Sequence, residues 1–113
     1  MKDPRLQLNH MLNCIESVRS YAASGPEALC SDRMTQSATL WDLTQITLCA
    51  RRLPVALKAK HPEIDWSALR VLGRQLMDVF REVNFERIWW IVEDDMWKLA
   101  ETTRVMIEEL RAD

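Results

Sequence analysis

Apolar residues recur every three to four positions along most of this chain, which is the period of amphipathic helices. The first apolar stripe predicts a helix from about residue 4 to residue 23. Asp3 is a good N-cap for this helix, and the sequence Ser24-Gly25-Pro26 ends it. Residues 26–31 are expected to form a connector with room for one helical turn.

A second stripe predicts a helix that starts near Ser31 or Asp32, both of which are capping residues. This helix should end or kink just before Pro54, because a proline ring clashes with the carbonyl four residues back. A short helical piece is expected over residues 55–60, and the clearest loop follows at residues 61–65.

A third helix is predicted to begin near Asp65 or Ser67, after which the chain turns at residues 81–83. Asn84 should cap the last helical region. Residues 85–111 are predicted either as one long helix or as two helices.

The joint between those two helices would be a kink near Asp94.

Helices that each have one apolar stripe must bury it against one another, and short connections make neighbouring helices antiparallel. The sequence therefore predicts an all-α, up-and-down bundle of four to five helices, which forms a single domain over residues 1–113.

Composition and charge narrow the class of protein. Hydrophobic residues make up 48% of the chain, which is typical of a globular domain. No apolar run approaches the ~20 residues of a membrane span, and the N-terminus lacks the apolar stretch of a signal peptide. The cysteines, which are Cys14, Cys30 and Cys49, lack paired spacing, so we expect free thiols and a cytoplasmic location.

The net charge of −2 is unevenly distributed. Residues 1–60 carry a charge of +3, and residues 61–113 carry −5. An acidic chain has no long-range attraction for nucleic acid, although a local basic groove remains compatible with this balance. We therefore expect no DNA partner, and RNA only as a weak one.

Several stretches of the chain resemble the HepT-like branch of the HEPN proteins, which are helical ribonuclease toxins of bacterial and archaeal toxin–antitoxin pairs. The similar stretches are residues 3–12, 35–43, 50–54 and 61–66, and from Trp66 to Leu99 the match continues without a gap. The resemblance implies a HEPN-like homodimer that is encoded with a nucleotidyltransferase-like antitoxin. It implies no cofactor.

The catalytic motif of that family is Arg, four residues, His, one residue and Tyr. Aligned from Trp66, these positions fall on Gly73, Asp78 and Phe80. The family's metal-independent RNA cleavage needs a His that moves protons and an Arg that binds phosphate. Gly73 offers no charge, and we expect it to permit close approach of another helix and to be an interface candidate. Asp78 is expected to be a polar or salt-bridged residue at a helix end.

Phe80 lacks the hydroxyl that accepts adenylyl groups in some pairs of the family. The family's second helix also tends to carry Gly-Glu-Ala where this chain reads Thr47-Leu48-Cys49. The chain is therefore predicted to have weak or no ribonuclease activity and to work by binding itself and the antitoxin.

Two other functions stay open. The first is an active ribonuclease toxin with a relocated site built from Arg70, Arg74 and Asp78. The second is a substrate-binding or scaffold subunit of a nucleotidyltransferase, with no role as a toxin.

The histidines are expected to be structural rather than catalytic. His10 should pack or form hydrogen bonds on the first helix, and His61, which precedes Pro62, should be exposed to solvent. His10 and Cys14 share a helix face, but two lone ligands seldom bind a metal, so no metal site is predicted.

The tryptophans divide into two groups. Trp41 and Trp66 are predicted to belong to the core. Trp89, Trp90 and Trp97 cover more than one face of the last helix, so at least one of them should lie outside the core. Exposed indoles mark protein interfaces, which makes these three residues interface candidates.

Overall fold

The computed structural model of the protein describes residues 3–78 and 82–112, and these are organised as helices without a strand. The elements are α1 (Pro4–Ala22), α2 (Pro26–Ser31), α3 (Arg33–Arg52), α4 (Val55–Ala59), α5 (Trp66–Met77), α6 (Phe85–Trp90), a π-helical segment (Ile91–Asp95) and α7 (Met96–Ala112). The all-α prediction is confirmed. None of these helices combines the length and the apolar character that a bilayer span needs.

Short polar side chains define where the main helices begin. The N-caps Asp3, Asp32, Asp65 and Asn84 each accept a hydrogen bond from a backbone N–H in the first turn. Such bonds satisfy amide groups that have no partner inside the helix. At the other end, α3 stops at Arg52, two residues before Pro54, as the steric effect of proline predicts.

The core forms around α1, which packs against both α3 and α7, while α5 packs against the outer side of α3. The largest fully buried side chains come from these central helices and include Leu8, Met11, Ile15, Leu43, Ile46, Met96 and Met106. The amphipathic stripes of the sequence therefore meet one another as predicted, and α5 is left with one face that does not contact the core.

The last helical region is continuous from Phe85 to Ala112, and a π-helical segment at Ile91–Asp95 interrupts its α-helical hydrogen bonding. The structure thus combines the two alternatives of the sequence, because Asp94 lies inside this segment. Within the segment, burial raises the pKa of the Asp95 carboxyl, and the neighbouring charge of Asp94 raises it further.

Trp41 corrects one prediction. Its side chain is 66% exposed and lies outside the core. The buried face of α3 includes Thr39 and Leu43, and Trp41 lies about 200° around the helix from Thr39, so it points to the opposite side. Trp66, by contrast, is partly buried and packs against the core, in line with the prediction.

The position of His61 corrects a second prediction. It was expected to be exposed, but only 6% of its surface is accessible. Its Nδ1 lies 3.2 Å from a carboxylate oxygen of Glu63, and its Nε2 lies 3.2 Å from a carboxylate oxygen of Glu109 on α7. The indole N–H of Trp66 donates to the His61 carbonyl at 3.0 Å. These contacts hold the loop before α5 against the end of the bundle.

The cysteine environments lead to the first prediction. Cys14 and Cys49 are buried, whereas Cys30 is exposed. Burial, and next the carboxylate of Asp42, raise the pKa of the Cys14 thiol to about 11. Burial also raises the pKa of Cys49. Since the thiolate is the reactive form, the buried thiols should react slowly at neutral pH.

We therefore expect iodoacetamide at pH 7.5 to alkylate Cys30 in the folded protein and to leave Cys14 and Cys49 largely unmodified. Peptide mass spectrometry of timed samples measures this, and the same reaction in denaturant should modify all three residues. Equal rates at the three cysteines in the folded protein would contradict the described packing of α1 against α3.

Candidate functional site

The helix α5 presents two different faces. Leu72 is buried, and Leu69 and Leu76 pack partly against the core. Arg70 and Arg74, which follow one another by one helical turn, lie on the exposed remainder of the helix. The leucines of α5 therefore pack against the core, and its two arginines face solvent beside α3.

Gly73 is the point where α5 comes nearest to α3. A Cβ atom built on Gly73 would lie 2.9 Å from Oγ1 of Thr47 and 3.0 Å from its Cβ. Thr47 itself is buried, and its hydroxyl donates to the Thr44 carbonyl at 2.9 Å. The expected close approach to another helix is therefore observed, and it leaves no space for any side chain at position 73.

A groove opens beside this contact, between α3, α4 and α5, with a volume of about 680 Å³. Its lining consists of Thr47, Leu48, Ala50, Arg51, Lys58, Trp66, Ser67, Arg70, Gly73 and Arg74. Four of these side chains are cationic, and none of the described lining residues is a carboxylate or a histidine. Guanidinium and ammonium groups stay protonated at neutral pH, so the groove is strongly positive.

The structure brings together only some of the residues predicted for a site. Arg70, Gly73 and Arg74 line the groove. Asp78 lies at the C-cap of α5, where it borders a separate hollow of about 250 Å³ that also includes Arg74. Phe80 lies outside the described residues.

His10 does not line the groove; it lies on α1 and contacts α3. Its Nε2 is 3.1 Å from the side-chain oxygen of Gln45 and 3.8 Å from the Cys14 sulfur. The pair predicted on one helix face therefore does come together. Across the described ranges, however, no cluster of three or more histidine, cysteine, aspartate or glutamate side chains could hold a metal ion.

Arg51 and Lys58 are the members of the site that the sequence did not single out. They come from α3 and α4, on either side of the break at Pro54, and both line the groove. No short-range signal in the sequence points to them as a pair.

The interface candidates on the last helical region differ in exposure. Trp89 is partly buried and packs against the core. Trp90 is 62% exposed and Trp97 is 50% exposed. Two large indoles therefore lie on the surface at either side of the π-helical segment.

Comparison with known proteins agrees with this architecture. A family model described as "Ribonuclease HepT-like" matches residues 11–106. The chain is also 26% identical over 110 residues to a protein of Methanocaldococcus jannaschii that is named as a gamma-glutamylcyclotransferase and a presumptive RNase. The match covers 96% of this chain but only 50% of that relative, so the chain spans about half of the relative's length. No solved structure matches the chain.

The contact between Gly73 and Thr47 can be tested with a double-mutant cycle. Gly73→Ala should lower the free energy of unfolding by about 1 kcal/mol, because the cost of overpacking exceeds the gain in helix propensity. In a Thr47→Gly background, where the opposing Cβ and hydroxyl are gone, the same substitution should instead stabilise the protein. Urea unfolding followed by circular dichroism measures both effects. An identical effect of Gly73→Ala in the two backgrounds would show that the helices do not meet at this point.

Proposed function

We propose a function from one premise: the chain belongs to the HepT-like ribonuclease family, whose model matches residues 11–106. The protein is a HEPN-type component of a toxin–antitoxin module that has lost RNA cleavage. It acts in the cytoplasm by forming a homodimer and by binding a nucleotidyltransferase-like antitoxin.

The observation that carries this proposal is the packing of Gly73 against Thr47. In the aligned motif, position 73 belongs to the arginine that binds the scissile phosphate. A Cβ there would already meet the Thr47 side chain at 2.9 Å, so an arginine at this position would require Thr47 or the helix packing to shift. The loss of the arginine is therefore accompanied by a helix packing that depends on its absence.

The groove also lacks a side chain that can transfer protons near neutral pH. Cleavage through the 2′-hydroxyl requires one group that removes a proton and one that delivers a proton near neutral pH. Among the described residues that line the groove, none is a histidine, aspartate or glutamate. The two histidines of the chain make contacts elsewhere, His10 with Gln45 and His61 with two glutamates. A groove with cations alone can bind a phosphate but has no means of exchanging protons with it.

Exposed aromatic surface supports the part of the proposal that concerns partners. Trp90 and Trp97 expose large apolar area next to the carboxylates of the π-helical segment. Indoles in such positions are enriched at protein interfaces, where a partner buries them. We assign this surface to the homodimer, and the antitoxin to the assembled dimer.

The relocated active site has less support. Arg70 and Arg74 would supply phosphate contacts, but Asp78 does not line the groove; it borders a second hollow, which shares only Arg74 with the groove. An ionised carboxylate next to a scissile phosphate would also repel it. Co-purification with a nucleotidyltransferase, without toxicity when either protein is expressed alone, would favour the scaffold function.

The loss of catalysis predicts a direct biochemical result. Purified protein incubated with single-stranded RNA at pH 7 in EDTA should give no more cleavage than buffer, as judged on a denaturing gel. Pancreatic ribonuclease on the same RNA is the positive control. Robust cleavage that disappears in Arg70→Ala, Arg74→Ala or Asp78→Ala variants would contradict the proposal and establish the relocated site.

The interface assignment predicts an effect on oligomeric state. The double variant Trp90→Glu/Trp97→Glu should shift the protein from dimer to monomer in sedimentation equilibrium, since buried charges at an interface are unfavourable. Trp41→Glu is the matched control, because Trp41 is just as exposed but lies on α3. A dimer that survives the double variant, or that is lost equally in the control, would place the interface elsewhere.

A further inference from the structure

We propose that the groove between α3, α4 and α5 binds a run of adjacent phosphate groups, such as the triphosphate of a nucleotide, without cleaving it. This inference rests on the proposed function, because it assigns a ligand to the same groove that has lost its catalytic residues. The observation that carries it is the convergence of four cations in one groove whose described lining contains no acidic residue.

The groove is distinguished by how many cations it gathers. Arg5, Arg104 and Arg111 each form an ion pair with a carboxylate at 2.8–3.3 Å, but most of the other described cations form none. The four cations of the groove are also without an ion pair to any described residue, and they line one shared space; they are Arg51, Lys58, Arg70 and Arg74. Like charges that converge without a counterion repel one another, so an anion that enters the groove relieves this repulsion.

The cations come from three different elements, which surround the space instead of forming a flat patch. Arg51 lies on α3, Lys58 on α4, and Arg70 and Arg74 on α5. Guanidinium groups bind phosphate oxygens in pairs, and an ammonium group acts as a point charge on the same ligand. A volume of about 680 Å³ is within the usual range for small-molecule sites and is sufficient for one nucleotide.

The groove also provides groups that suit the remainder of a nucleotide. Trp66 and Ser67 line it at the start of α5. The orientation of the indole is fixed, because its N–H donates to the His61 carbonyl at 3.0 Å. An aromatic ring held in this way can stack on a base, and a hydroxyl can donate to a phosphate or a sugar oxygen.

The distribution of acidic residues favours a short ligand. Asp65 caps the N-terminus of α5 and Asp78 lies at its C-cap, so carboxylates flank both ends of the helix that carries two of the cations. Residues 61–113 as a whole carry a charge of −5. A long polyanion that extended past either end of α5 would meet these carboxylates, whereas a nucleoside triphosphate places all its charge within the groove. Single-stranded RNA offers the same phosphate chemistry, and the experiment distinguishes the two sources.

The test is isothermal titration calorimetry on the full chain with four ligands: ATP, inorganic triphosphate, AMP and an eight-nucleotide single-stranded RNA, all without metal. ATP should bind, and AMP should bind at least about tenfold more weakly, because each lost phosphate contact removes a charge-assisted hydrogen bond. The affinity for ATP should fall steeply with added salt, because salt screens the attraction between charges. Inorganic triphosphate should bind with an intermediate affinity, since it lacks the base.

The chain contains a matched pair of variants for this test. Arg51→Ala/Lys58→Ala removes two cations of the groove. Arg52→Ala/Lys60→Ala also removes one arginine and one lysine, at the C-terminal ends of α3 and α4. Neither Arg52 nor Lys60 lines the groove. The first variant should weaken ATP binding by at least about tenfold, and the second by less than about twofold. Thermal melting shows whether both variants stay folded, which their surface positions favour.

Every outcome of the titration bears on the proposal. ATP binding that depends on Arg51 and Lys58 supports it. RNA binding that depends on Arg51 and Lys58, without binding of ATP, supports the phosphate groove and shows that its ligand is an RNA strand. No binding of any ligand, or an equal loss in both double variants, overturns it. A protein that fails to bind and also fails to cleave RNA leaves the proposed function intact, whereas cleavage of the eight-nucleotide RNA during the titration would overturn the proposed function.

Discussion

The close contact between α3 and α5 at Gly73 and Thr47 is the constraint on which the rest of the site depends. A side chain as small as a methyl group at position 73 would come within 2.9 Å of the Thr47 hydroxyl. At these two positions, the family's pattern has glycine on the second helix and arginine on the motif helix. This chain has Thr47 on α3 and Gly73 on α5, so the glycine and the larger side chain have changed places. With glycine at position 73, the motif helix of this chain carries no guanidinium at the crossing.

The groove beside this contact is basic although no arginine lies at position 73. Arg70 and Arg74 flank Gly73 on α5, and Arg51 and Lys58 face them from α3 and α4. The described lining carries positive charge but no imidazole, since the side chains of His10 and His61 make their contacts with Gln45, Glu63 and Glu109. Binding of phosphate and chemistry on phosphate are separate properties, and the described residues support the first without the second.

Local signals in the sequence predicted much of the fold. Asp65 and Asn84 could be recognised as caps, and Pro54 as a helix end, because each acts on a backbone within one turn of itself. Trp41 and His61 could not be placed in this way. Whether an indole or an imidazole is buried depends on the helix face it shares and on partners distant in the chain, such as Glu109 for His61.

The groove itself was only half predictable. Gly73, Arg70 and Arg74 lie within a single helix, so the motif alignment pointed to them directly. Arg51 lies on α3 and Lys58 on α4, and no short-range pattern in the chain records that both line a groove with α5. The Thr47 partner of Gly73 was visible as a departure from the family's pattern, but the contact between the two residues needed the structure.

A crystal structure of the assembled dimer is the most direct measurement of the central claim, because it shows every side chain that either copy contributes to the groove. The account predicts a groove lined by the four cations, with Thr47 packed on Gly73 and no imidazole from either copy within hydrogen-bond distance of a bound phosphate. A histidine and an arginine from the two copies that converge on one point in the cleft would contradict it.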